Sequence, residues 1–152
     1  MLCYDDKDMD SLIKNVYAPN VHIDYTALFG GKPTDVTSET WTRMLQDALS
    51  GFDGTQHTAT DMLVELPQPT KGTTRPDTVK VVAYVNAHMK RSAARGTPMM
   101  HSGGRSFLEL TRSPELEEQG ETPWRITKMR IAPAWEDGNL DVLTAAKSLY
   151  RK

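Results

Sequence analysis

A chain of 152 residues, 38% of them hydrophobic and 25% charged, has the balance of one compact domain covering residues 1–152. With 18 basic against 20 acidic side chains, the formal charge of −2 offers no field to gather nucleic acid or an anionic membrane. Cys3 is the single cysteine, which excludes an internal disulfide and a cysteine-based metal site and points to a reducing compartment.

The start "MLCYDDKDMD" is acidic where a signal peptide would be basic and then apolar, and no apolar run approaches the roughly 20 residues that span a bilayer. The expectation is a soluble cytoplasmic protein with no membrane partner. From Asp5 to Val16, Met9, Leu12, Ile13 and Val16 recur at helical spacing until Pro19 stops the pattern. "NVHIDYTAL" then alternates and sets Val21, Ile23 and Tyr25 on one face of a strand, before "FGGKP" turns the chain. A second helix follows, with a Ser/Thr cap ahead of Glu39 and a stripe of Trp41, Met44, Leu45 and Ala48 that runs out near Gly51. "GFDGTQHTATD" is the joint to a strand at "DMLVEL", and "PQPTKGTTRPD" is a loop. "TVKVVAYVNAHMKR", "GGRSFLELTR" and "PWRITKMRIAPAW" make three antiparallel strands, the last two joined by the turn "SPELEEQGET", and "LDVLTAAKSLYRK" is a closing helix. This order is α+β: a curved antiparallel or mixed sheet folded over helices, with a hollow left open at one end.

The polar residues decide what such a hollow could do. Asp5 precedes Met9 by four residues and Leu12 by seven, so its carboxylate either shares the core-facing stripe and needs a partner there, or is an exposed first-turn residue favouring the helix dipole. Tyr25 faces inward by parity, which suits a site or plain core. His88 shares parity with Asn86, Tyr84 and Val82, three polar side chains on one face that fit a wet cavity. The other face, Val79, Val81, Ala83, Val85 and Ala87, would then be free to pack on a partner subunit. His22 is outward by parity, and His101 lies in the loop-like "MMHSGG". The four histidines lack metal-site spacing, and neither a G-x-S-x-G elbow nor a phosphate loop is present. For His57 alone, surface exposure and a functional imidazole both remain open.

"YDDKDMDSLIKNVYAPNVHIDYTAL", "ETWTRML", "TQHTATD" and "YVNAH" followed by strands ending in "W" resemble, in that order, scytalone dehydratase and the wider SnoaL-like group of the nuclear-transport-factor-2-like cone fold. The resemblance covers nearly the whole chain and implies a cofactor-independent dehydratase, or a cyclase or isomerase, of secondary metabolism. Its implied catalytic residues are Tyr4, Asp5, Tyr25, His57 and His88, with no metal. Trp41, Met44, Leu28, Phe52 and Phe107 offer apolar walls for a polyketide, phenolic or terpenoid substrate, Asn86 sits beside His88, and Ser106 falls where the family carries a pocket asparagine. A homo-oligomer, dimer or trimer, is expected from the uncovered apolar face. The alternative is a non-catalytic ligand- or protein-binding module on the same fold.

Overall fold

The computed structural model describes residues 2–67 and 70–144. The segment expected as one helix is three short pieces: α1 (Leu2–Asp5), α2 (Met9–Ser11) and a π-helical stretch over Leu12–Val16. Lys7, at φ 55, breaks the path, and the Asp8 carboxylate restarts it by accepting the Ser11 N–H at 3.0 Å. The break carries Asp5 away from the Met9 and Leu12 stripe and lets α1 pack on the sheet instead.

Strand β1 (Tyr17–Asp24) starts before Pro19, inside the expected helix end. Pro19 has no N–H to give a ladder, and it lies in a stretch where pairing to the neighbouring strand shifts register. Tyr25 follows the strand as the residue capping α3 (Thr26–Phe29). A short β2 (Thr34–Thr37), which the alternation did not reveal, pairs antiparallel with β1 and leads into α4 (Ser38–Ser50). Thr37 caps α4 by accepting the Thr40 N–H at 3.2 Å, and the stripe of Trp41, Leu45, Ala48 and Leu49 is buried.

The rest is sheet: β3 (Gly54–Glu65), β4 (Thr78–Lys90), β5 (Met99–Arg112) and β6 (Trp124–Gly138), with α5 (Pro114–Glu118) in the turn between the last two. Six strands run in the order β2-β1-β6-β5-β4-β3, parallel between β1 and β6 and antiparallel elsewhere, which bears out the mixed α+β sheet. Strand β3 begins at Gly54, so "TQH" lies within it rather than in a joint, and "DMLVEL" is its far half beyond a register shift at Asp61 (φ 48). Strand β5 begins at Met99, which makes His101 a strand residue. Of the expected closing helix, Leu140–Leu143 form a 3₁₀ turn whose Val142 and Leu143 are buried, and residues 145–152 lie outside the described residues.

Helix α4 packs on the inner face of the sheet and joins two apolar clusters, Trp41 and Leu45 meeting Val21, Ile23 and Met129, and Ala48 and Leu49 meeting Phe52, Met89 and Met100. Between them β4 and β5 present small inward pairs: Ala83 with Ser106, Val85 with Gly104 and Ala87 with Ser102. Small side chains on paired strands leave space that the helix does not fill, and a hollow results. The polar face of β4 is therefore the outer one. The expectation placed Asn86 and His88 inside and the apolar face outside, and the structure reverses both, because a strand with one apolar face turns that face to the core.

The glycines of β5 respond differently to an added methyl group. At Gly104 a Cβ would sit 2.4 Å from the Ala132 carbonyl oxygen and 2.8 Å from Pro133 Cα, both backbone, whereas at Gly103 it would meet the half-exposed Trp135 ring, which can swing away. Gly104→Ala is expected to cost about 1–3 kcal/mol and Gly103→Ala less, read as midpoints in urea unfolding.

Candidate active site

Two adjoining chambers occupy the hollow. The larger, of ≈ 310 Å³, is walled by Val81, Ala83, Val85, Leu108, Met129 and Ile131 with Tyr4, Tyr17, Tyr25 and His57 among them. The smaller, of ≈ 130 Å³, lies toward α4 between Trp41, Leu45, Phe52 and Met89. Tyr4, Tyr25, Leu28, His57, Ala87 and Ser102 border both, so His57 stands where the chambers meet.

Strand alternation points the ring of His57 inward beside Ala59, and α1 brings Asp5 to it from 52 residues away in sequence. The His57 ring donates from Nδ1 to Asp5 Oδ1 at 2.7 Å, the His57 backbone N–H donates to Oδ2 at 2.7 Å, and the Thr55 hydroxyl donates to Oδ1 at 2.8 Å. Both ion-pair side chains are mostly buried, at 19% and 16% exposure. Burial opposes ionisation of Asp5, but the hydrogen bonds from the His57 backbone, its ring and Thr55 outweigh it and hold the carboxyl below its ordinary 3.8. An ionised carboxylate can only accept, so Nδ1 carries the proton and Nε2 of a neutral ring keeps a lone pair for the cavity.

Three phenols complete the polar part. The Tyr4 and Tyr17 hydroxyls are hydrogen-bonded to each other. The Tyr25 hydroxyl lies 3.9 Å from the Met129 sulfur, and its ring packs against Trp41 with centroids 5.3 Å apart. Burial first, then the neighbouring Tyr17 and Tyr25 phenols, raises the Tyr4 pKa well above 10, and burial pushes that of Tyr17 up to about 12. Tyr17 was absent from the sequence expectation, although it shares parity with Val21 and Ile23; only the assumed helix end at Pro19 hid it.

Of the residues expected at the site, Tyr4, Asp5, Tyr25 and His57 are brought together, and Leu28, Trp41, Phe52 and Ser106 line the chambers. Met44 borders neither and packs into the cluster around Trp41. Three residues belong to the opposite face. His88 is exposed, with its Nδ1 2.5 Å from that of His101 across the strand pair. Asn86 pairs with Gly103 on that side, and Phe107 lies under the Arg130 guanidinium, 3.8 Å from the ring centroid. His22 is outward as expected and bonds Asp35 at 2.8 Å. Among the described residues no group of three His, Cys, Asp or Glu side chains is placed to hold a metal ion.

The SnoaL-like domain profile matches residues 1–130. The chain belongs to the SnoaL-like family. Solved structures share the SnoaL-like chain's fold at low identity. A protein of Novosphingobium aromaticivorans provisionally named scytalone dehydratase is 14% identical, with TM-score 0.65 over 91% of this chain and 78% of its own. The hexachlorocyclohexane dehydrochlorinase LinA-type3 of Novosphingobium barchaimii is 9% identical, with TM-score 0.67 over 91% and 82%. A nuclear-transport-factor-2-like superfamily protein of Salmonella enterica is 13% identical, with TM-score 0.63 over 90% and 84%. No match is found among curated proteins. The resemblance read from the sequence and the cone fold it implied both hold for this SnoaL-like domain.

The bonds to Asp5 set a pH dependence. Because its folded pKa is lowered, the stability it contributes is fully present above 3.8 and is lost as pH falls through the folded value. Asp5→Asn leaves a buried donor without its charged acceptor and is expected to cost about 1–3 kcal/mol at pH 7. The gap between wild type and variant should narrow as the medium is acidified below that range, as followed by urea melts across pH; a constant gap would contradict the assignment.

Proposed function

We propose that this SnoaL-like domain is a cofactor-independent lyase that dehydrates a β-hydroxy carbonyl compound in its apolar cavity. The observation that carries the reading is Asp5 holding His57 by two bonds of 2.7 Å, with the ring at the meeting point of the two chambers. An orienting carboxylate, a fixed tautomer and a base facing a largely apolar space are what proton abstraction beside a carbonyl requires. The names of two fold neighbours, a scytalone dehydratase and a dehydrochlorinase, both denote eliminations and lend support.

With His88 on the outer face, a single imidazole serves both halves of the reaction. Nε2 of His57 takes the proton from the carbon next to the carbonyl, and the electron pair moves to the carbonyl oxygen. The enolate reforms the carbonyl as the β-carbon–oxygen bond breaks, and the imidazolium returns its proton to the departing hydroxide. Ketone becomes enone plus water, and Asp5 stabilises the transient imidazolium throughout. Removal and return from one ring make this a same-face elimination. The walls of Leu28, Trp41, Phe52 and Met129 suit a polyketide, phenolic or terpenoid skeleton, and cyclisation or isomerisation would begin with the same proton transfer.

A homo-oligomer in the cytoplasm completes the proposal. The free edge at β3 exposes Met62 (66%), Leu63 (62%) and Leu66 (57%), which supports a dimer or trimer, and light scattering reads the subunit number directly. The one cysteine, Cys3, is a free thiol, in keeping with a reducing compartment.

The test is exchange of the α-protons of cyclic β-hydroxy ketones in D₂O, with appearance of the enone, followed by NMR. Wild type should catalyse both, His57→Ala should lose on the order of 10²–10⁴-fold, and His88→Ala should stay within about twofold of wild type. No exchange by the wild type would favour a binding module, and full activity in His57→Ala would end the proposal.

A further inference from the structure

A bulge in β6 changes which of its side chains face the hollow. Pro133 pairs with Gly104 and Trp135 with Gly103, so Ala134 is an extra residue and the alternation between inner and outer faces shifts by one beyond it. Before the bulge, Met129, Ile131 and Pro133 line the larger chamber. After it, Trp135 lies over Gly103 on the outer face, while Glu136, paired with Ser102, turns to the inner one and borders the smaller chamber. An unbroken alternation would put the indole inside and the carboxylate outside.

The smaller chamber, of ≈ 130 Å³, has room for one six-membered ring, since an apolar protein cavity of about 150 Å³ takes up benzene. Phe29, Trp41, Phe52 and Met89 give that ring an apolar wall. Thr55, His57, Ser102 and Glu136 supply the polar one. The Thr55 hydroxyl and the His57 Nδ1 proton are already given to Asp5, whereas the side chains of Glu136 and Ser102 make no hydrogen bond or ion pair among the described residues. A charge needed only to blunt the part of β6 that β1 leaves unpaired is supplied by Asp137, which faces outward opposite His101. Glu136 is exposed at the rim, so its carboxylate stands in water at little cost and can exchange a water contact for a ligand donor.

We propose that the smaller chamber is a subsite for one six-membered ring of the substrate bearing a hydrogen-bond donor, hydroxyl or ammonium, and that Glu136 with Ser102 is the contact that selects it. On the elimination reading, on which this assignment rests, the reacting carbon lies at His57 where the chambers meet. The donor-bearing ring then reaches past His57, and the rest of the skeleton occupies the larger chamber.

The probes are toluene, benzyl alcohol, benzylamine and benzoate, each titrated calorimetrically into the full chain. A wild-type preference for benzyl alcohol identifies the donor as a hydroxyl, and one for benzylamine identifies it as an ammonium. Glu136→Ala should lower affinity for the preferred probe about tenfold relative to toluene, the size of one hydrogen bond to a charged group. Benzoate should bind more tightly to Glu136→Gln than to wild type. Because Glu136 is exposed, its variants spare the core, and an unchanged toluene affinity reports an intact chamber. Ala48→Leu, which narrows the smaller chamber alone, should erase the difference that Glu136→Ala makes. No ring binding by wild type, equal donor-to-toluene ratios in wild type and Glu136→Ala, or a ratio that falls only in His57→Ala overturns the proposal. A donor preference through Glu136 with no ketone dehydration would remove the elimination reading and leave the subsite standing; dehydration with equal ratios would do the reverse.

Discussion

The clamp between Asp5 and His57 is the constraint on which the rest of the site depends. It is one carboxylate with three donors, two of them from a single strand residue, and it ties the first turn of the chain to the middle of β3. A bond to the backbone N–H fixes where the carboxylate sits on the strand, and the bond to the ring fixes how the imidazole turns. Position and tautomer are thus set together, so the free ring nitrogen has one place to face. The chain reaches this arrangement by breaking its first helix: Lys7 at φ 55 lets α1 leave the path of α2 and lie against the sheet.

The hollow around the clamp has an equally local cause. Alanine, serine and glycine meet across β4 and β5 where larger residues would have closed the sheet onto α4, and the volume they omit is the volume a substrate would take. What lines it is almost wholly apolar, so the few polar groups act in a low dielectric. There Asp5 stays ionised because it is hydrogen-bonded, and the phenols stay protonated because they are buried. The surroundings thus move the carboxylate and the phenols apart, lowering the pKa of the one and raising those of the others.

Much of this was legible in the sequence. The long strands showed in "TVKVVAYVNAHMKR" and α4 in its cap and stripe, while the family resemblance named Asp5 and His57 among the site residues without pairing them. His88 was misplaced because a polar row on β4 was taken for the lining of a wet cavity. The structure follows the simpler rule that the apolar face turns inward, and the cavity is lined by small apolar residues. Tyr17 was hidden by reading Pro19 as a helix stop, when the strand had already begun and tolerates proline at a register shift. The helix break at Lys7 carries no glycine or proline to announce it, since it is imposed by the packing of α1 on β3 rather than by local preference.

Long-range ¹H–¹⁵N correlation spectra of the histidine side chains test the clamp most directly. The account predicts that His57, when neutral, shows a single tautomer with the proton on Nδ1 and a bare Nε2. A spectrum with the proton on Nε2, or one averaged between the two nitrogens as for a solvent-exposed ring, would contradict it.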